Sequence, residues 1–353
     1  MTTYGSAVFA EHVPTTTAEA VQRAEAAGYA NVGKTNLHEF AYGTTSENPH
    51  YGTVPNPIAP GRIAGGSSGG SAAALVAGLA DAAIGTDSGG SIRIPAACCG
   101  IVGLKPTYGL VPSEGCFPLA PSFDHVGPMA RTVEDCAALL EALAPGFKGL
   151  SGSEPQPVEA VETVESVRVG VAWLDSAEPL VAARVAEAAA HFPRRSELDW
   201  PRPEIDALFM HEVAGVHREL YSEHAELYGE DVAVKVERCL TVSDGDAAAA
   251  ERGRDEYRER CEELLDDVDL LLTPTLGCVA PPTGIGDQAL RATLIRNTLP
   301  FNALGWPALA LPCGPAEDDL PASVQLVGKP GADALVLAVG KVLADSLREF
   351  DPM

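Results

Sequence analysis

Apolar and polar positions change period several times along the chain, and each change predicts an element. Thr15–Ala27 opens on threonines, runs through alanine-rich turns and closes on Gly28, which predicts a threonine-capped helix, with Tyr29–Gly33 as a short strand after it. Residues 45–70 carry glycines and prolines at loop density, and a loop of that length usually has a function. A short helix over 70–79, a strand over 81–85 and a helix starting near Ser91 follow, then strand-and-loop stretches at 101–110 and 121–129. The apolar spacing after Arg131 predicts a strong helix, Val167–Trp173 a strand and 179–192 an amphipathic helix. Residues 148–166 are polar and read as the least ordered stretch, and 205–265 as largely helical and acidic. Buried strands are expected at Asp269–Thr273 and Ala308–Pro312, with a closing helix over 332–348. Strands alternating with helices place the chain in the α/β class, and no internal repeat is present.

Composition supports a folded chain: 46% of residues are hydrophobic, with 35 glycines and 28 prolines supplying turns. The net charge is −25, from 49 acids against 24 bases, and only six of those bases are lysines. The acids are dispersed, so the surface suits a salt-rich cytoplasm in which screening relieves self-repulsion. That charge excludes a nucleic-acid stripe. Eight cysteines without paired spacing read as buried thiols of a reducing compartment. With no membrane-length apolar run and no signal sequence, a cytoplasmic location is expected.

Two loops concentrate the chemistry: Gly65-Gly-Ser-Ser-Gly-Gly-Ser71 and Gly85-Thr-Asp-Ser-Gly-Gly-Ser-Ile-Arg93. A helix of ten residues covers roughly 15 Å and a five-residue strand returns roughly 16 Å, so the loops should finish side by side at one sheet edge. Serine hydroxyls there suggest a nucleophile, with amides at the next helix start as an oxyanion hole. A phosphate loop fails for want of Lys-Ser/Thr or G-x-G-x-x-G; a linker would not repeat twice around a matched helix and strand.

These loops, with Cys99-Gly-Ile-Val-Gly-Leu-Lys-Pro-Thr-Tyr-Gly109, resemble the amidase signature. The likeness extends to Gly33–Phe40, Asp124–Asp135, Pro300–Gly314 and Leu320–Gly328. The resemblance implies one three-layer α/β/α domain over 1–353 built on a large mixed sheet, with its signature core at 60–110, a variable helical region at about 148–266, and C-terminal strands and helix at 267–348. It implies a Ser–Ser–Lys amide hydrolase needing no cofactor and no metal. Ser91 matches the acyl-forming nucleophile, Ser67 the bridging serine on a cis peptide, and Ser88, Gly89 and Gly90 the oxyanion loop. The triad lysine of the family precedes a Thr-Thr-x-Gly-Ser segment that here is Thr2–Ser6, directly after Met1. The expectation is that this chain lacks the base and the N-terminal part of the domain, through a misassigned start or a real truncation.

Other residues receive structural readings. Cys98 and Cys99 are expected as packed thiols, Arg93 as a loop brace, and Asp87 and Asp124 as loop-fixing carboxylates. Lys34 and Lys105 fall outside the triad pattern, and the spacing of His211, His217 and His224 does not suit a metal. The expected partner is a small amide, with no nucleic acid and no membrane, and a homodimer is left open. The alternatives are the glutamine-hydrolysing subunit of a tRNA-dependent amidotransferase and an inactive scaffold. Leu294 and Ile295 stand where that subunit needs an acid for the amino acid's ammonium, so neutral amides are expected to outrun glutamine.

Overall fold

Ten strands and eleven α-helices form among the residues that the computed structural model describes, 1–147, 150 and 164–350. The strands are β1 (Glu47–Asn48), β2 (Gly52–Thr53), β3 (Ala82–Asp87), β4 (Val102–Lys105), β5 (His125–Ala130), β6 (Arg168–Val171), β7 (Arg194–Glu197), β8 (Leu270–Pro274), β9 (Ala308–Pro315) and β10 (Pro321–Val327). The first helices are α1 (Glu19–Ala26), α2 (Gly69–Val76), α3 (Arg93–Cys99), α4 (Val133–Leu143) and α5 (Pro179–Ala190). The acidic middle forms α6 (Asp206–His224), α7 (Glu230–Cys239) and α8 (Asp244–Leu264). After it come α9 (Asp287–Ile295), α10 (Leu299–Leu304) and α11 (Asp333–Phe350).

β1 and β2 make a small hairpin inside the long loop, and the other eight strands form one mixed sheet in the order β3-β5-β4-β9-β10-β8-β6-β7. Neighbours are antiparallel from β3 to β8 and parallel from β8 through β6 to β7. Period-two alternation sorts the sheet's side chains into two layers. Leu309, Leu311, Leu270, Leu272, Val324 and Leu326 pack in the core shared with α4, α5 and α11. Ala308, Ala310 and Leu271 join smaller clusters with α2, α3, α8 and α10 on the other face. Gly103 of β4 lets α3 approach: a Cβ there would stand 2.9 Å from both Ala96 Cβ and Ile92 Cγ2. The result is the expected three-layer α/β/α arrangement.

Three local expectations are corrected. α1 begins at Glu19 after Ala18, which makes no side-chain cap, so the threonines precede the helix without capping it. Residues 29–33 form no strand: no neighbouring chain pairs with them, and 31–35 are exposed. β7 had no sequence expectation because Arg-Arg-Ser-Glu is exposed throughout; it is held by parallel pairing with β6 rather than by burial. Most of the stretch expected to be least ordered, 148–149 and 151–163, lies outside the described residues. No described helix is long and apolar enough to cross a membrane.

Candidate active site

α2 carries the chain away from the first glycine–serine loop and β3 returns it to the second. The two loops meet directly: Ser68 N donates to Ser91 O at 3.2 Å, and Ser68 Oγ accepts from Thr86 N at 3.2 Å and donates to Thr86 O at 3.3 Å. Ser67 follows a cis Gly66–Ser67 peptide. Its carbonyl accepts from His38 N at 3.2 Å and from Ser46 Oγ at 3.1 Å. Ser67 is 1% exposed and Ser91 7%. The Ser67 hydroxyl has no hydrogen-bond partner among the described residues. An orphaned buried hydroxyl costs about 1–3 kcal/mol, and one beside a second serine points to chemistry rather than packing.

The second loop is shaped from beneath by Asp87. Its carboxylate accepts from Gly90 N at 2.7 Å and Ile92 N at 3.2 Å, and it pairs with Arg93 Nε at 3.0 Å and Nη2 at 2.9 Å. Arg93 is fully buried and donates onward to Gln325 Oε1 and Asn302 Oδ1, each at 2.7 Å. Burial alone would raise the Asp87 carboxyl; the Arg93 charge and hydrogen bonds, with that from Asn302, hold it well below the usual carboxylate range. Arg93 is thus a brace, as its position suggested. Ser88 Oγ donates to Asp124 at 2.5 Å, and Asp124 also takes the Leu119 and Ala120 amides at 2.9 and 3.1 Å.

Of the three residues expected to form the oxyanion loop, Gly90 has an amide with a partner of its own. The Gly90 N–H is already given to Asp87, because a buried carboxylate claims the nearest amide. Between Ser88 and Ile92, the amides without an acceptor among the described residues are those of Ser88, Gly89 and Ser91. Gly90 keeps a conformational role: its φ is +130°, and a side chain there would collide with Thr298. Thr298 Oγ1 in turn donates to Gly89 O at 2.6 Å, fixing the loop from the far side of the chain.

No described lysine is hydrogen-bonded to Ser67. Lys34 is exposed and bonds Thr2 Oγ1. Lys105 is buried and donates to Trp306 O, to Pro106 O at 3.2 Å and to His125 Nε2 at 3.2 Å. Burial, reinforced by the Arg93 charge, pulls the Lys105 ammonium well below its usual range. Lys235, which sequence reasoning passed over, is buried on α7 and binds Asp231 and Asp287, each at 2.7 Å. His38 Nε2 lies 3.1 Å from Asp231, and Asp287 accepts from Thr44 Oγ1 at 2.6 Å. His38, Asp231 and Asp287 have ligand atoms within 4.8 Å of one another, the spacing of a cation site. The Lys235 ammonium already supplies the positive charge there. His217 is buried between Phe40, Phe117 and Tyr228, a core histidine. Cys98 and Cys99 are buried, and burial pushes the Cys99 thiol up to about 12, so both are packed thiols.

Comparison with known proteins settles the family. The amidase family model matches residues 1–198 and 207–337. This chain belongs to the amidase family. It is 36% identical to AtzE of Pseudomonas sp. (strain ADP), a 1-carboxybiuret hydrolase subunit, over 92% of this chain and 76% of that protein. It is 34% identical to a glutamyl-tRNA(Gln) amidotransferase subunit of Haloarcula marismortui, over 97% of this chain and 91% of that one. A crystal structure described as an amidase superposes with a TM-score of 0.84 at 36% identity, over 97% of this chain and 80% of the other. Members of the amidase family hydrolyse carbon–nitrogen bonds, and the chain is an enzyme of that class. Leu294 is buried among Ile63, Ile94 and Cys98; Ile295 packs against the same cluster, and its Cγ2 stands 4.0 Å from where a Cβ on Gly89 of the second loop would be.

Proposed function

We propose that the chain hydrolyses a small carboxamide to a carboxylic acid and ammonia or an amine through an acyl-enzyme on Ser91. The convergence of Ser67 and Ser91, with the Ser67 hydroxyl left unpartnered, carries this reading. Ser91 Oγ attacks the amide carbon and gives its proton to Ser67 Oγ, whose own proton passes to the amide nitrogen as the C–N bond breaks. The oxyanion that forms takes hydrogen bonds from the Ser88, Gly89 and Ser91 amides. Collapse breaks the C–N bond, and the leaving nitrogen takes the proton from Ser67. Water then adds to the ester and a second collapse frees the acid. Gly90 stays outside the donor set, holding the loop's turn through Asp87.

The same hydroxyl favours a second reading, a binding or scaffold protein with little turnover, since no described base is bonded to Ser67. Loss of a general base costs about 10²–10⁴ in rate. The amidotransferase relative supports a glutaminase role. Against it, Ile295 sets an apolar side chain beside Gly89 and offers no carboxylate for glutamine's ammonium. Ammonia release from propionamide, benzamide, glutaramate and glutamine separates these readings. The hydrolase reading expects turnover that disappears in Ser91→Ala, with glutaramate exceeding glutamine at least about tenfold in kcat/KM, as an unpaired buried ammonium would cost. Turnover unchanged in Ser91→Ala overturns the mechanism. No turnover of any amide supports the scaffold, and glutamine as the best substrate supports the amidotransferase role.

A further inference from the structure

The chain carries 49 acids against 24 bases, yet the Arg291 side chain on α9 makes no hydrogen bond and no ion pair among the described residues, and reaches Asp287 only through longer-range attraction. Its guanidinium lies 4.9 Å from the ring centre of Tyr42 and 5.8 Å from that of Phe209. The nearest acid along the helix, Asp287, stands one turn earlier and is taken by Lys235 and Thr44. Both ends of the segment are fixed: Asp287 is tied to α7 and the Thr44 loop, and Thr298 to Gly89 O. Between them Arg291 and Ile295, four residues apart, share one helix face. Leu299 Cδ1 and Ile295 Cγ2 stand 3.5 and 4.0 Å from where a Cβ on Gly89 would be, so that face borders the second loop. Gly89, Ile295 and Arg291 are each partly exposed, while Leu294 beside them is buried. A partly exposed strip thus runs from the oxyanion loop, over an apolar side chain, to a guanidinium that lies against two rings and has no hydrogen-bond partner among the described residues.

We infer that Arg291 determines specificity by binding a carboxylate at the end of the substrate remote from the scissile amide. The substrate class is a short monoamide of a dicarboxylic acid without a free ammonium group. One helical turn, roughly 5–6 Å, separates Arg291 from the residue facing Gly89, and a short aliphatic chain spans it over Ile295. The planar guanidinium offers paired N–H donors to a carboxylate, while Tyr42 and Phe209 hold its plane. A local positive charge also offsets the repulsion that a chain of net charge −25 exerts on an anion.

The inference rests on the hydrolase reading above, so its test has one arm that needs no turnover. In the Ser91→Ala protein, calorimetry compares binding of glutaramate with that of glutaramide, its neutral isostere. Glutaramate should bind at least about tenfold tighter, and Arg291→Gln should erase the difference while leaving glutaramide within about threefold. In the active protein, Arg291→Gln should lower kcat/KM about 10- to 100-fold for glutaramate and succinamate only. Equal binding of the two ligands, or an equal loss for acids and diamides, would overturn the assignment and leave Arg291 as a clamp on the two rings. Preferential binding without turnover would sustain it while counting against hydrolysis.

Discussion

Replacing Arg93 with methionine keeps the side chain's length but removes the guanidinium that pairs with Asp87. The carboxylate would keep the Gly90, Ile92 and Asn302 donors and lose two charged hydrogen bonds, while Gln325 Oε1 and Asn302 Oδ1 lose theirs. All four side chains, Asp87, Arg93, Asn302 and Gln325, are fully buried. Breaking one member of such a pair costs about 3–5 kcal/mol, because a buried charge is left uncompensated. Acidity then gives the loss its own mark. In the wild type Asp87 is held well below its ordinary value of 3.8, so it stays ionised from pH 8 to pH 5 and contributes equally at both. That contribution is lost only as pH falls below 3.8 through the depressed value. In Arg93→Met the desolvation is no longer opposed by Arg93, the folded-state value rises above the unfolded one, and acidification stabilises the variant. Urea denaturation at fixed high salt should show a deficit of about 3–5 kcal/mol at pH 8 that narrows by about 1–2 kcal/mol at pH 5. A deficit below about 1 kcal/mol, or the same deficit at both pH values, would refute the reasoning.

Two further outcomes follow from charge. Burial pushes His217 down from 6.5 to about 4, so its contribution to stability is complete above pH 6.5 and is lost as pH falls toward 4; it amounts to about 3 kcal/mol, and denaturation of His217→Phe should show a flatter acid limb than the wild type. With a net charge of −25, thermal melts at about 0.1 M and 2 M salt should differ strongly in favour of the higher salt, since the Debye length shrinks from about 10 Å to below 3 Å; a midpoint indifferent to salt would contradict this expectation.

The two glycine–serine loops were legible because their chemistry is local. A short helix and a short strand between them leave one way to meet, and Ser68 N on Ser91 O is that meeting. Arg93 was readable as a brace from its place just past the loop, but its partners Asn302 and Gln325 lie 209 and 232 residues away. The cluster of His38, Thr44, Asp231, Lys235 and Asp287 left no signature, since its bonds join positions up to 243 residues apart. Arg291 looks like any helical arginine until its helix face and its lack of an ion pair among the described residues are seen together. The bond from Gly90 N to Asp87 was not legible, because counting amides along the loop does not show which one a buried carboxylate takes. Tyr29–Gly33 misled because strand-like residues form a strand only where a neighbour pairs with them.

Active-site labelling tests the central claim most directly. The full chain is treated with a fluorophosphonate and mapped by peptide mass spectrometry, beside Ser91→Ala and Ser67→Ala. A single adduct on the peptide containing Ser91, absent from Ser91→Ala and slowed about 10²–10⁴-fold in Ser67→Ala, is the predicted result. An adduct on another residue, or labelling of Ser91 at an unchanged rate in Ser67→Ala, would contradict the account.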